Sequence, residues 1–146
     1  MESQAKPLAV IGNKLILARI ADALRPICDE LIAVVRPGQD DPTPDTALAL
    51  RMHVVEDAEA DGGPLAAICA GLQAAATSLG FVCGGDHPFL SRELIAAMAE
   101  SAISNSRGGP TAVVPRIGEH FQPLHAVYPA AEWSSVFCAA LSQGLR

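Results

Sequence analysis

The carboxylate of Asp86 is well placed to bind a ligand. It follows an apolar stretch, Phe81–Cys83, and two glycines. In open α/β sheets, ligands bind at the carboxyl ends of the strands, so the sequence predicts that this side chain lies at a ligand-binding edge. Mg²⁺ prefers oxygen ligands and is commonly held by one or two carboxylates together with substrate phosphates. We interpret Asp86 as a metal ligand; the alternative is a solvated carboxylate that caps the turn before His87.

A second candidate site is the start of a helix, where Gly62 and Gly63 precede Pro64 and Leu65. Proline suits the first helical position, and the unpaired N–H groups at a helix start favour an anion. We expect a phosphate or a ribose beside Gly63, Pro64 and Leu65, although glycine before such a helix is also common without any ligand. Most of the acidic residues before this helix are interpreted as a solvated loop. Asp57 is the exception, because it lies nearest the end of a predicted strand.

Lysines near the start of the chain could meet an anionic ligand. Lys6 and Lys14 flank a short apolar segment. An ammonium group that reaches phosphate oxygens offsets the charge of a phosphoryl transition state. A solvated surface lysine is the alternative. The histidines show no spacing typical of metal ligands, so the sequence nominates neither a zinc site nor a histidine base.

These residues require a scaffold of strands and helices. Hydrophobic spacing and turn residues predict helices over residues 15–27, 64–78, 91–103 and 131–141, and strands over residues 31–35, 52–55, 81–83, 111–115 and 124–128. Helices that alternate with continuous apolar strands predict an α/β fold with three layers: a mostly parallel sheet with helices on both faces. The length of 146 residues predicts a single domain over residues 1–146.

The composition of the chain limits which kinds of partner we expect, namely nucleic acid, membrane or metal. The formal charge of −6 and the pI near 5.0 argue against a nucleic-acid-binding surface. The uncharged stretch over residues 62–85 is interpreted as a buried helix and a strand, not as a membrane span, and no secretory leader is recognised, so we expect a cytoplasmic protein. The four cysteines are scattered without a Cys-x-x-Cys pair, which predicts buried thiols and neither zinc nor a disulfide.

Taken in order, these segments resemble the MobA-like nucleotidyltransferases, and among them the molybdenum cofactor guanylyltransferases. The matching segments are Gly12-Asn13-Lys14 at the expected distance after Lys6, GPLAAICAGL from Gly63, CGGDHPFL from Cys83 and QPLHAVY from Gln122. The resemblance covers essentially the whole chain. It implies a Rossmann-like nucleotidyltransferase sheet.

The resemblance also implies roles for the candidate residues. Lys6 would touch the nucleotide phosphates, Asp57 and Gly63 would lie along the nucleoside, and Asp86 would hold Mg²⁺. The implied reaction transfers GMP from GTP to the terminal phosphate of molybdopterin cofactor and releases pyrophosphate. The alternatives are a transferase that uses CTP or another nucleotide with a different phosphorylated acceptor, or a non-catalytic module. Contact with molybdoenzyme assembly partners and self-association are further expectations.

The sequence departs from the family pattern at both ends. Met1 aligns with an internal residue of the family, so the family's first strand and glycine loop lie outside this sequence, and Arg146 precedes the family's last segment. That strand lies in the middle of the family's sheet, and its loss would leave two neighbouring strands without a hydrogen-bond partner. A chain complete at this length is expected to show weak transferase activity, and low stability or strand exchange between copies. Residues 34–37 also differ from the run typical of guanylyltransferases, which leaves the choice between GTP and CTP open.

Overall fold

The computed structural model describes residues 6–36, 42–57 and 63–145. The strands, in chain order, are β1 (Val10–Ile11), β2 (Lys14–Leu15), β3 (Ile32–Val35), β4 (His53–Glu56), β5 (Leu79–Cys83), β6 (Arg116–Ile117), β7 (His120–Phe121) and β8 (His125–Pro129). The helices are α1 (Ile16–Leu24), α2 (Thr43–Ala49), α3 (Gly63–Ala74), α4 (Arg92–Ser104) and α5 (Ala130–Ser142). None of the helices in these ranges has the length and apolarity needed to cross a bilayer.

The predicted α/β class, with helices on both faces of the strands, is confirmed. Parallel pairing was expected for most of the sheet, but among the described residues it is found only between β3 and β4. β5 and β8 are antiparallel, and β1–β2 and β6–β7 are antiparallel hairpins. β8 reverses direction because it enters the sheet where β5 ends, with His125 opposite Cys83.

Two apolar clusters hold the layers together. Successive residues of a strand point to opposite faces, and β8 shows this clearly. Val127 belongs to the cluster under α1 and α4, whereas Ala126 and Tyr128 belong to the cluster under α3 and α5. β8 is therefore buried on both faces, as its apolar sequence predicts.

The sheet is divided between β3 and β5. Within the described ranges, β3 pairs only with β4, and β5 forms its ladder with β8. The two pairs share a core, since Ala33 of β3 and Phe81 of β5 contact the same apolar cluster.

Four segments differ from the prediction. Residues 111–115 were expected to form a strand, but the structure shows only an isolated bridge between Val113 and Val127. α2 and the hairpins β1–β2 and β6–β7 were not predicted. Their strands are two residues long, too short for hydrophobic alternation to reveal them.

The prediction that all cysteines are thiols is wrong for two of them. Cys69 of α3 and Cys138 of α5 form a disulfide, with Cα atoms 5.6 Å apart, whereas Cys28 and Cys83 are thiols. The two bonded residues are 69 positions apart in the chain. They meet because α3 and α5 pack on the same face of the strands, a tertiary contact that cysteine spacing does not encode.

The start of α4 depends on a side-chain cap, as predicted. The Ser91 hydroxyl accepts a hydrogen bond from the Leu94 N–H at 3.2 Å. We expect Ser91→Ala to lower the free energy of unfolding by about 1 kcal/mol, because an N–H group at the helix start loses its acceptor. Urea denaturation followed by circular dichroism measures this change. Ser135→Ala, at an exposed position within α5, is the control and should change the free energy of unfolding by less than about 0.5 kcal/mol.

Candidate functional site

The loop after β5 carries the predicted metal ligand. The Gly84 N–H donates to the Leu124 carbonyl at 3.3 Å, and the His87 N–H donates back to the Gly84 carbonyl at 3.2 Å. These bonds fix a tight turn directly after the strand. A Cβ atom on Gly84 would lie 3.0 Å from Asp86 Oδ1 and 3.2 Å from the His87 ring. The absence of a side chain at Gly84 therefore lets Asp86 and His87 fold back over the end of β5.

Lys6 and Asp86 meet at this strand end. The Lys6 Nζ lies 3.5 Å from Asp86 Oδ2, although the residues are 80 positions apart. Next to Lys6, Pro7 packs against the loop, since a Cβ atom on Gly85 would lie 3.1 Å from the Pro7 ring. The Lys6 side chain is 81% exposed and that of Asp86 is 44% exposed. The pair therefore contributes little to stability, and both groups remain accessible to a ligand.

Two histidines that were not selected in the sequence analysis border the same loop. The His87 Nε2 lies 3.8 Å from Asp86 Oδ1, and the ring of His125 lies 6.3 Å from the ring of His87. The His125 ring also packs edge-on against Phe81, 5.2 Å between centroids. Burial, and then the neighbouring His87, lower the pKa of His125 from its usual value. The signal that could have found them is their position within the two matching motifs, after β5 and at the start of β8.

The second predicted site lies at the end of β4 and the start of α3. Asp57 follows β4, its N–H donates to the Val35 carbonyl at 2.8 Å, and only 5% of the residue is exposed. Gly63 is the first residue of α3, with φ of 65°, followed by Pro64 and Leu65 in the first turn. The left-handed backbone at Gly63 suits glycine. The structure thus brings Lys6 and Asp86 into contact, while Asp57 and residues 63–65 lie at a different strand end.

An open groove of about 540 Å³ lies beyond the Asp86 loop. It is lined by Lys14, Arg19, Asp22, Ala23 and residues 88–93, so Asp86 itself does not line it. Its cations are engaged: Lys14 pairs with Asp22, Arg19 donates to the Ile11 carbonyl, and Arg92 donates to the Asp22 carbonyl at 2.9 Å. These cations organise the loops around the groove.

The donor set at Asp86 fits Mg²⁺ only in part. The carboxylate is a hard oxygen donor and is half exposed. Within residues 6–36, 42–57 and 63–145, no group of three or more His, Cys, Asp or Glu side chains is arranged to hold a metal ion. Mg²⁺ usually keeps several waters and binds through one or two carboxylates plus substrate phosphates. Asp86 would therefore need a bound polyphosphate and waters to complete the coordination of the ion.

The close approach at Gly84 yields a prediction. In Gly84→Ala, the added methyl group shifts the carboxylate of Asp86 and the ring of His87 by a few tenths of an ångström, so we expect the affinity in Mg²⁺ for GTP, the nucleotide that the family resemblance implies, to fall by up to about tenfold. Isothermal titration calorimetry measures the affinity, and circular dichroism verifies the fold. Gly108→Ala is the matched control, because a Cβ atom there meets nothing within 4 Å. Equal GTP affinity in Gly84→Ala and Gly108→Ala would show that the short distance from Gly84 to Asp86 and His87 does not matter for binding.

Residues 1–146 match the model of a family described as "MobA-like NTP transferase domain". The chain belongs to this family. A "Probable molybdenum cofactor guanylyltransferase" of Methanosarcina mazei is 36% identical over 132 residues, which cover 84% of this chain and 55% of that protein. The chain spans just over half the length of the curated relatives that it matches.

Solved structures show the same fold. Molybdopterin-guanine dinucleotide biosynthesis protein A from Archaeoglobus fulgidus aligns with a TM-score of 0.71 at 22% identity, over 97% of this chain and 67% of that chain. The 2-C-methyl-D-erythritol 4-phosphate cytidylyltransferase from Thermus thermophilus also aligns with a TM-score of 0.71, at 21% identity, over 98% of this chain and 75% of that chain. The fold is therefore shared by proteins named for different nucleotides.

Proposed function

We propose that this chain acts in guanylyl transfer, moving GMP from GTP to the terminal phosphate of molybdopterin cofactor. The contact between Lys6 and Asp86 at the end of β5 supports this proposal, because an exposed ammonium group that can donate to phosphate oxygens lies beside a half-exposed carboxylate that can hold a divalent cation. The similarity to relatives named as molybdenum cofactor guanylyltransferases supports the choice of nucleotide and acceptor. We locate the protein in the cytoplasm, without nucleic acid or membrane as partners.

In this reaction an oxygen of the acceptor phosphate forms a bond to the α-phosphorus of GTP. The bond from that phosphorus to the bridging oxygen breaks, and pyrophosphate leaves with the electron pair. Both reactants are polyanions, so catalysis requires alignment and positive charge on the developing oxyanions. Lys6 is exposed and donates hydrogen bonds to phosphate oxygens when GTP replaces its contact with Asp86. Mg²⁺, held by Asp86 and the phosphates, would supply further positive charge.

Residues 63–65 take a second part in the proposal. α3 has 12 residues, and its first turn has main-chain N–H groups without helical partners. The ribose or a phosphate of GTP lies against this turn. Asp57 is buried. Its role in the proposal is therefore to shape the end of β4 beside the nucleoside, with little direct contact to exposed atoms of the nucleotide.

A CTP-dependent transferase is the second candidate. β3 ends at Val35. The sequence Val34-Val35-Arg36-Pro37 stands where guanylyltransferases typically have a different run of residues. The likeness in fold to a protein named as a cytidylyltransferase is compatible with either nucleotide.

Calorimetric titration of the chain with GTP and with CTP, each with Mg²⁺ and with EDTA, tests the proposal. We expect tighter binding of GTP than of CTP, and tighter binding of GTP with Mg²⁺ than with EDTA. Tighter binding of CTP would reject the guanylyl assignment. Failure to bind either nucleotide would reject the nucleotide site itself and favour a non-catalytic module.

A further inference from the structure

The disulfide between Cys69 and Cys138 crosses a helix interface that does not depend on it. Ile68 and Leu72 of α3 are buried in one apolar cluster, and Phe137 of α5 packs against the same cluster. These contacts remain when the disulfide is reduced. The two sulfurs therefore stay side by side as thiols, and the bond can form again without a rearrangement of the helices.

The two sulfurs differ in their access to solvent. Cys69 is 6% exposed, whereas Cys138 is half-buried. A dissolved thiolate therefore reaches the bond at the Cys138 Sγ, and Cys69 is the leaving group. In the reduced chain the Cys69 S–H has an acceptor, because its Sγ lies 4.0 Å from the Ser134 carbonyl oxygen. Both oxidation states are thus compatible with the buried surroundings of Cys69.

The bond links the two parts of the candidate site. Cys69 follows Gly63 on the same helix, about 9 Å along the axis at a rise of about 1.5 Å per residue. Cys138 belongs to α5, which directly follows β8. β8 in turn pairs with β5, the strand that ends at the Asp86 loop. A movement of α3 against α5 therefore changes the position of residues 63–65 relative to Asp86.

The compartment proposed for this protein gives the bond a meaning. Thiols are kept reduced in the cytosol, and the disulfides that do occur there are usually catalytic or redox-sensing. Cys69 and Cys138 both lie within helices, away from the strand ends that carry the candidate site. Their placement favours redox sensing over a direct part in the chemistry.

We propose that this disulfide is a redox switch on nucleotide binding: oxidation by a small disulfide, such as oxidised glutathione, raises the affinity for GTP, and reduction by the corresponding thiol lowers it. The proposal rests on the proposed function, since it needs a nucleotide at residues 63–65. The bonded state binds more tightly because a cross-link that holds α3 in place lowers the entropy lost when GTP binds.

The exchange takes place in two steps. A thiolate forms a bond to the Cys138 Sγ, and the bond between Cys138 and Cys69 breaks, with its electron pair and then a proton going to Cys69. A second thiolate bonds to the sulfur of the first, and Cys138 leaves and takes up a proton. The chain gains two electrons and two protons, and the small thiol is released as its disulfide. Oxidation is the reverse of these steps.

Calorimetric titration of the full chain with GTP and Mg²⁺, oxidised and after dithiothreitol, tests the switch. We expect about tenfold tighter binding to the oxidised chain, an ordinary size for coupling between two sites. Circular dichroism verifies that both forms are folded. Cys138→Ser should bind GTP like the reduced chain, with and without dithiothreitol. Cys28→Ser removes a thiol outside the pair and should keep the tenfold difference.

A redox titration tests the same coupling from the other side. The chain is equilibrated with glutathione buffers, and its thiols are counted by alkylation and mass spectrometry. The pair should change state within the range that these buffers cover. Because coupling between two sites is reciprocal, saturating GTP should move the midpoint by about 30 mV toward more negative potentials, the equivalent of a tenfold change.

The outcomes separate the switch from the proposed function. A pair that stays oxidised, or stays reduced, over the whole buffer range would overturn the switch. Equal GTP affinity in the two oxidation states would also overturn it, and would leave the proposed function intact. GTP binding to neither form would reject the proposed function together with the switch.

Discussion

Asp86→Asn is expected to abolish the gain in GTP affinity that Mg²⁺ provides. The amide keeps the size of the side chain but removes the negative charge that a hard divalent cation requires. One charge-assisted contact corresponds to a loss of about 10- to 100-fold in affinity. Calorimetric titrations with Mg²⁺ and with EDTA measure this difference, which should be large for the unmodified chain and nearly absent in the variant.

Two further variants separate the metal from the phosphate contact. Glu132→Gln removes an exposed carboxylate at the start of α5 and should leave the Mg²⁺ effect intact. Lys6→Ala should weaken GTP binding both with Mg²⁺ and with EDTA, because in the proposed role its ammonium group donates to phosphate directly. An Mg²⁺ effect that persists in Asp86→Asn would show that the ion is held elsewhere.

Cys138→Ser is expected to lower the free energy of unfolding by about 2–4 kcal/mol. The disulfide to Cys69 closes a long loop and joins α3 to α5, so its loss increases the conformational freedom of the unfolded chain. A loss of this size is a large part of the roughly 5–15 kcal/mol that stabilises an ordinary domain. Guanidinium denaturation of the oxidised chain and of the variant measures the difference.

A reductant provides the matched control for this variant. Dithiothreitol should destabilise the unmodified chain to the level of Cys138→Ser and should leave the variant unchanged. If dithiothreitol has no effect on the unmodified chain, the two residues are thiols in solution. Disulfides are rare in the cytosol, so the same experiment bears on the proposed compartment.

The pattern of hydrophobic residues was sufficient to predict the main scaffold. The continuous apolar runs that form β3 and β5 follow from local strand propensity. The Ser91 cap of α4 follows because the first N–H groups of a helix require hydrogen-bond acceptors. The pairing of β5 with β8 did not follow, because an apolar run indicates burial on both faces but not the direction of its neighbour. Residues 111–115 have the composition of a strand, yet only Val113 finds a partner.

The candidate site was predictable to the extent that it depends on strand ends. Asp86 could be placed because a polar residue after an apolar strand and two glycines lies at the ligand edge of a sheet. Its contact with Lys6, across 80 positions, was not predicted, since the family resemblance implied only that Lys6 touches the phosphates and that Asp86 holds Mg²⁺. The approach of His125 to His87 was not predictable, since it depends on the antiparallel register of β5 and β8.

Parts of the predicted site lie outside the described residues. Gly62, Glu59 and Asp61 fall within residues 58–62, and residues 37–41 contain the first part of the loop after β3. The predicted role of Gly62 therefore stays a prediction. The neighbouring Gly63, with its left-handed backbone, is described and starts α3.

Asp86→Cys tests metal ligation most directly, because a thiolate binds Cd²⁺ well and Mg²⁺ poorly. GTP affinity of this variant and of the unmodified chain is measured with each ion. Ligation predicts that the variant binds GTP about 10- to 100-fold more weakly than the unmodified chain in Mg²⁺ and recovers most of that affinity in Cd²⁺. Undiminished binding in Mg²⁺, or equally weak binding with both ions, would contradict an ion held by Asp86 at the end of β5.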